Sequence, residues 1–206
     1  GTFDIQLIVS SPNGCVDTTN RTVNISEPPV PNFQTLINGT PADSVCARLT
    51  VCFQDLSNAA GGSYFWDFGN GQTDTTANPP CATYEGGIGD TTYTITLTIV
   101  HRCDSISTSR TISVSPLPRA VFGPDSTSSG CSVFCVDLVN VSTGDPFAYS
   151  WYLDTTSTDS LFFNGANPPT QCYSYEDSTG FRIYEVFLIA ENACGLDTGR
   201  TEITVF

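Results

Sequence analysis

A chain of 206 residues with a net charge of −14, from seven Arg and no Lys against fifteen Asp and six Glu, repels phosphate backbones and anionic lipid heads, so nucleic acid and membrane surfaces are poor partners. Without Lys there is no P-loop lysine, Schiff base or Ser–Lys dyad, and with His101 as the sole histidine a multi-His metal site is excluded and a His-based catalytic pair has one base available. Thirteen Phe, eight Tyr and two Trp within 39% hydrophobic residues still suffice for packed cores, and no run approaches the roughly 18 apolar residues of a membrane-spanning helix. Gly1 in place of an initiator Met suggests a processed product or a window on a longer chain.

The first 26 residues hold two alternating runs, Phe3-Asp-Ile-Gln-Leu-Ile-Val9 and Arg21-Thr-Val-Asn-Ile25, on either side of Cys15. Period-2 alternation of this kind predicts a two-stranded hairpin. Glu27-Pro-Pro-Val-Pro31 then restricts the chain to extended conformations and acts as a semi-rigid joint. From 27 to 115 the chain carries Cys46 and Cys52, Tyr64-Phe-Trp66-Asp-Phe68, Asn78-Pro-Pro-Cys81, Tyr84, the alternating Tyr93-Thr-Ile-Thr-Leu-Thr-Ile99, Cys103 and a closing strand Thr111-Ile-Ser-Val114. A second proline joint, Ser115-Pro-Leu-Pro118, leads into residues 116–206.

That last segment repeats the middle one. Cys46 to Ser57 matches Cys131 to Ser142, Tyr64-Phe-Trp66 matches Tyr149-Ser-Trp151, Asn78-Pro-Pro before Tyr84 matches Asn167-Pro-Pro before Tyr175, and the copies close on Thr111 to Val114 and Thr201 to Val205. The first 26 residues match the end of the same unit, with Cys15, Cys103 and Cys194 spaced 88 and 91 residues apart. The expected organisation is therefore the last two strands of one module (1–26) and two full modules (27–115 and 116–206). About seven short strands in some 88 residues is the size of an immunoglobulin-like sandwich, so the fold class expected is all-β, with tandem sandwiches in an extended array. Trp66 and Trp151 share a face with their aromatic neighbours and are assigned to the two cores in preference to a ligand.

Nine spread-out Cys, 49 Ser and Thr and no Lys fit an oxidising, extracellular compartment. A zinc module is not indicated, because the close pair Cys131 and Cys135 has no second pair of that form.

At Tyr64-Phe-Trp-Asp-Phe-Gly-Asn-Gly71, Asn78-Pro-Pro, Tyr84 and Tyr93 to Ile99, the sequence resembles the PKD domain, whose signature is a WDFGDG turn, a P…Y strand and a YTVTLTV strand. Asn70 replaces the Asp of the turn, and the second copy has Asp154-Thr-Thr156 where Gly69-Asn-Gly71 stood. The resemblance implies immunoglobulin-like sandwiches without catalysis, and the Cys-bearing variety is similar to long repetitive surface proteins and adhesins of Bacteroidota. It implies a disulfide-stiffened filament, stalk or adhesin segment on a bacterial surface, with neighbouring modules, identical subunits or a cell-surface glycan as partners. The alternative is a carbohydrate- or protein-binding accessory module of a secreted hydrolase, which an exposed aromatic row at Phe162, Phe163 and Tyr173 would favour.

On that topology Cys52–Cys81 and Cys135–Cys172 are expected within the modules. Cys52 aligns with Asp137 and Cys135 with Thr50, so one module would need a shifted or diagonal pairing. Cys46 and Cys103 fall at opposite ends of a sandwich, beyond the Cα separation of about 7 Å that a disulfide spans. An inter-module Cys46–Cys194 bond is expected instead, leaving Cys15, Cys103 and Cys131 for other modules or as free thiols.

Asp precedes Ser or Thr in ten of fifteen cases, and part of this is turn chemistry. Nine of these steps look like the D-(S/T)-(A/I/L/V/M/T) acceptor of Bacteroidota O-glycosylation, which makes Thr18, Ser44, Thr75, Thr91, Ser105, Ser126, Thr155, Ser160 and Ser178 candidates for covalent O-glycans. Asp67, Asn70 and Asp74 surround a Gly-rich turn with oxygens suited to Ca²⁺, but they miss the calcium-loop spacing, and a turn held by its own side chains is the plainer reading. His101 beside Cys103 invites a Cys–His reading, yet neither other copy has His there while all three have Cys. No cofactor and no enzymatic activity are expected.

Overall fold

The structure, a computed structural model, describes residues 1–25, 27–59, 61–101, 104–153, 161–176 and 180–206. In chain order the first strands are β1 (Thr2–Ser10), β2 (Val16–Asn24), β3 (Phe33–Ile37), β4 (Thr40–Pro41), β5 (Ser44–Cys46), β6 (Thr50–Asp55) and β7 (Ser63–Asp67). Then come β8 (Thr73–Asp74), β9 (Ala82–Thr83), β10 (Thr91–Val100), β11 (Ser105–Ser115), β12 (Phe122–Pro124), β13 (Ser129–Gly130) and β14 (Phe134–Val136). The last are β15 (Leu138–Asn140), β16 (Ala148–Leu153), β17 (Leu161–Asn164), β18 (Gln171–Tyr173), β19 (Arg182–Asn192) and β20 (Gly195–Val205). Among the described residues none lies in an α-helix, and no helix is long and apolar enough to cross a membrane.

The chain is all-β, an array of immunoglobulin-like sandwiches, and its sheet orders repeat. One sheet runs β5-β11-β10-β7-β8 and its later counterpart β13-β20-β19-β16-β17. In each, the long closing strand pairs in parallel with a short upstream strand: Val114 with Val45, and Thr204 with Ser129. The opposing strands form β4-β3-β6-β9 in the first copy, and β12-β15 with β14-β18 in the second. By contacts the chain divides into two compact units, one of Gly1–Leu36, Cys52–Cys81 and Thr94–Arg110, the other of Ile37–Val51, Ala82–Tyr93 and Thr111–Phe206.

In the first unit the alternation of β10 turns Ile95, Leu97 and Ile99 inward, all fully buried, toward a layer of aromatic rings. Trp66 is the centre of that layer, with Phe33 edge-on at 5.1 Å and Phe53 at 6.0 Å, and its indole Nε1 donates to the Thr76 carbonyl at 3.0 Å. The same unit contains the β1–β2 hairpin, paired Phe3 with Val23, Ile5 with Arg21 and Leu7 with Thr19, and every described residue of both strands is exposed.

In the second unit Trp151 takes the equivalent place. It is fully buried against Val186, Leu188, Ala190, Ile203 and Val205, with Phe122 edge-on at 4.8 Å and its Nε1 donating to Gly165 O at 2.9 Å. The alternation of β19 against β20, Tyr184 opposite Ile203 and Leu188 opposite Gly199, presents that apolar face.

Candidate functional site

The half-cystines are built on strand register. In the ladder of β6 and β9, Thr50 faces Thr83 and Val51 faces Ala82, and the next step brings Cys52 to Cys81, disulfide-bonded with Cα atoms 4.1 Å apart. In β14 and β18, Cys135 lies directly opposite Cys172, bonded with Cα atoms 4.0 Å apart. Neither pairing is diagonal.

The tyrosines explain why. Tyr84 packs on Tyr93 at 4.9 Å while Tyr93 donates to Glu85 O; Tyr173 packs on Tyr184 at 5.0 Å while Tyr184 donates to Ser174 O. Tyr173 is therefore the counterpart of Tyr84, which corrects the alignment of Tyr84 with Tyr175. Cys172 then takes the place of Thr83, and Thr170 the place of Cys81. Thr170 donates its hydroxyl to Asp137, the residue aligned with Cys52, so a hydrogen bond stands where the first copy has its disulfide. The signal was present in the sequence: Cys81 follows Asn78-Pro-Pro80 directly, whereas Thr170 and Gln171 intervene before Cys172. A Cys two residues earlier on one strand and two residues later on its antiparallel partner remains opposite its mate.

Cys46 and Cys194 meet within the second unit, bonded across 148 residues with Cα atoms 5.4 Å apart. Cys46 ends β5 beside Ser115 of β11, and Ala47 N donates to Ser115 O at 2.8 Å. Cys194 sits in the β19–β20 turn, where Asn192 faces Gly195. Asn192 organises this turn: its Oδ1 accepts from Cys194 N at 2.7 Å, and its Nδ2 donates to Pro116 O at 2.9 Å and Gly144 O at 2.6 Å. Asp197 Oδ2 accepts from Ala120 N at 2.7 Å. Close packing completes the joint, since a Cβ on Gly144 (φ +87°) would stand 2.2 Å from Leu117 O, and one on Gly86 would stand 2.9 Å from Ala47 Cβ and 3.0 Å from Pro116 Cα. The Ser115–Ala120 segment is thus held by two side-chain hydrogen bonds and by close backbone contact at glycine, with the Cys46–Cys194 disulfide beside Ser115. A groove of about 440 Å³ beside it is lined by Arg48, Arg119, Glu85 and Asp197 among others. Sequence reasoning singled out the two Cys but not Asn192, although Asn13 stands at the same place before Cys15.

The other candidates are dispersed. Asp67 Oδ1 accepts from Gly69 N at 2.8 Å, Asn70 Oδ1 from Gln72 N at 3.0 Å, and Asp74 Oδ1 from Thr76 N at 2.7 Å and from the Thr76 hydroxyl. The Thr76 hydrogen bonds hold the Asp74 carboxyl below the usual carboxylate range. Each proposed calcium ligand thus has an oxygen engaged in its own turn. Among the described residues no three His, Cys, Asp or Glu side chains gather as a metal site. Of the candidate hydroxyl residues, Thr18, Ser44, Thr75, Ser105 and Ser126 are exposed and Thr91 is half-buried, while Thr155, Ser160 and Ser178 lie outside the described residues. Cys103 also lies outside them, and His101 pairs its backbone with Asp104. Phe162 and Phe163 are half-buried against the second core and Tyr173 is buried within it, so these three do not form an exposed row. The Tyr173 hydroxyl is buried without a hydrogen-bond partner among the described residues, and burial, then the neighbouring Tyr184, push its pKa up to about 12.

No protein-family model matches the chain, and no curated protein matches it. Among solved structures the chain is similar to the fibronectin(III)-like modules of Clostridium thermocellum CbhA, at 14% identity and a TM-score of 0.30 over 84% of this chain and 93% of that one. It is also similar to the N-terminal four Ig domains of Dscam1 isoform 6.9, at 11% identity and a TM-score of 0.41 over 94% of this chain and 52% of that one, so it spans about half of that structure. A third is mouse cadherin-23 EC22-24, at 10% identity and a TM-score of 0.40 over 99% of this chain and 73% of that one.

Proposed function

We propose that the chain is a non-catalytic structural or adhesive segment of a long extracellular repeat protein, built of PKD-like modules at 27–115 and 116–206 that follow the closing hairpin of another module at 1–26. The observation that carries this reading is the Cys46–Cys194 bond. Under these boundaries it ties the short β5 strand of one module to the β19–β20 turn of the next, across a proline joint already held by Asn192. A tie of that kind converts a hinge into a rod, which suits a stalk or filament that carries load and displays surface at a distance from a cell. The exposed Asp-Ser and Asp-Thr steps support O-glycan decoration of that surface, and their local match to the Bacteroidota acceptor supports a bacterial surface protein. The burial of Tyr173, with Phe162 and Phe163 half-buried, takes away the feature that would have supported a carbohydrate-binding accessory module.

Small-angle X-ray scattering of the oxidised chain and of the Cys46→Ser/Cys194→Ser double variant tests the reading. The oxidised chain is expected to scatter as one conformation and the variant as a broad distribution of inter-module angles. Identical profiles would show that the bond stiffens nothing.

A further inference from the structure

Four Asn-Gly steps occur in the chain, at Asn13, Asn38, Asn70 and Asn164. The peptide nitrogen that follows an Asn can attack the side-chain amide, and Gly, lacking Cβ, leaves that attack unhindered. The fold treats the four steps differently. Gly14 N donates to Ser11 O at 2.9 Å and Gly165 N to Tyr149 O at 3.0 Å, so both nitrogens are committed to backbone hydrogen bonds. Asn164 Oδ1 also accepts from the Ser150 hydroxyl at 3.0 Å. Asn38 (φ +51°) and Gly39 (φ +79°) form the two-residue turn between β3 and β4. A residue in that left-handed region carries its following peptide nitrogen on the far side of the Cα–C bond from Cβ, out of reach of its own side chain.

Asn70 is the one of the four set for the reaction. Its Oδ1 accepts from Gln72 N at 3.0 Å, which closes an Asx turn and folds the carboxamide back over the Gly71 nitrogen. Gly71 N donates to none of the described residues, and a Cβ on Gly71 would meet nothing within 4 Å. We propose that Asn70 is a site of self-modification, where the chain converts the amide to a carboxylate through a succinimide ring. The Gly71 nitrogen loses its proton to hydroxide and attacks Asn70 Cγ, forming a C–N bond. The Gln72 N–H, already on Oδ1, stabilises the oxyanion that develops there. The Cγ–Nδ2 bond then breaks, the departing nitrogen takes a proton from solvent, and ammonia leaves. Water opens the ring at one of its two carbonyls. Attack at Cγ gives aspartate with the main chain unchanged. Attack at the main-chain carbonyl gives isoaspartate, in which the chain runs through Cβ and Cγ and is one methylene longer.

The turn has no slack for that methylene. Phe68 is buried and stacked on Phe53 at 4.6 Å, its N donates to Gln72 O at 3.1 Å, and a Cβ on Gly69 (φ +74°) would stand 2.3 Å from Thr94 O. A lengthened turn must give up one of these contacts, so isoaspartate loosens the β7–β8 end of the first core, whereas aspartate leaves it intact.

The test ages the native, oxidised chain and the reduced, urea-unfolded chain side by side in mildly alkaline buffer. With seven Arg and no Lys, trypsin places the four Asn in separate peptides, residues 1–21, 22–48, 49–102 and 120–182. Fragmentation mass spectrometry reads the amide-to-acid conversion at each Asn, and labelling by an isoaspartyl methyltransferase counts isoaspartate. The unfolded chain should convert all four at comparable rates, and the native chain should convert Asn70 several-fold faster than Asn13, Asn38 or Asn164. Native Asn70 suppressed as strongly as the other three, or any of those three leading it, would overturn the proposal. Asn70→Asp supplies the aspartate product directly and should unfold at the parent's urea midpoint. The isoaspartate-bearing fraction of the aged native chain, separated by anion exchange, should unfold at a lower one, and an unchanged midpoint would show that the turn absorbs the extra methylene.

Discussion

The two sandwiches tie the same pair of strands with a disulfide placed two residues apart. In the first copy Cys52 bonds Cys81 and Thr50 faces Thr83; in the second Cys135 bonds Cys172, at the Thr50 and Thr83 positions, and Asp137 with Thr170 fills the place of the other bond. What is held constant between the copies is the antiparallel register, and the rung that carries sulfur is free to slide along it. A substitution on one strand alone destroys the clamp, whereas a compensated pair moves it.

The comparison breaks most visibly if one half-cystine moves without the other. Cys135→Thr with Asp137→Cys leaves Cys172 diagonal to its mate, at the roughly 7–8 Å that strand geometry gives a diagonal pair and outside disulfide range. Closing a loop of 37 residues is worth about 4 kcal/mol, so denaturant unfolding should show a loss of that order and free-thiol titration two new thiols. Adding Cys172→Thr and Thr170→Cys rebuilds the first copy's arrangement and should restore the bond with most of the stability.

A smaller difference sharpens the comparison. Tyr173 occupies the counterpart position of Tyr84 with its hydroxyl buried and without a hydrogen-bond partner among the described residues. Removing an unsatisfied buried hydroxyl relieves its desolvation penalty, so Tyr173→Phe should raise stability by about 1 kcal/mol in urea titrations. The folded pKa, pushed to about 12, lies above the unfolded value of about 10. Between those values the unfolded chain has lost a proton that the native one retains, so stability falls as pH rises from about 10 toward 12. Tyr173→Phe should remove that component of the alkaline slope. A variant less stable than the parent at neutral pH would assign the hydroxyl a partner.

The fold is legible in the sequence because alternation marks the long strands directly: Ile95, Leu97 and Ile99, or Val186, Leu188 and Ala190, can face a core in one register only. The short parallel strands β5 and β13 are two or three residues long and carry no periodicity, so nothing local announces them. The clamp was half legible. Each Cys could be placed on a strand, but the equivalence of Cys81 with Cys172 followed sequence order where the insertion of Thr170 and Gln171 had already shifted it. Asn192 was illegible for a different reason: beyond its local bond from Cys194 N, its side chain reaches Pro116 and Gly144, partners that become neighbours only once the chain has folded.

The joint is the centre of the account, and the scarcity of basic residues makes it easy to examine. Trypsin places Cys46 alone in residues 22–48, Cys194 alone in residues 183–200 and Cys103 alone in residues 103–110. A non-reducing digest of the native chain should yield residues 22–48 linked to 183–200. Residues 22–48 linked to 103–110 instead would close Cys46 within residues 27–115 and contradict the proposed joint.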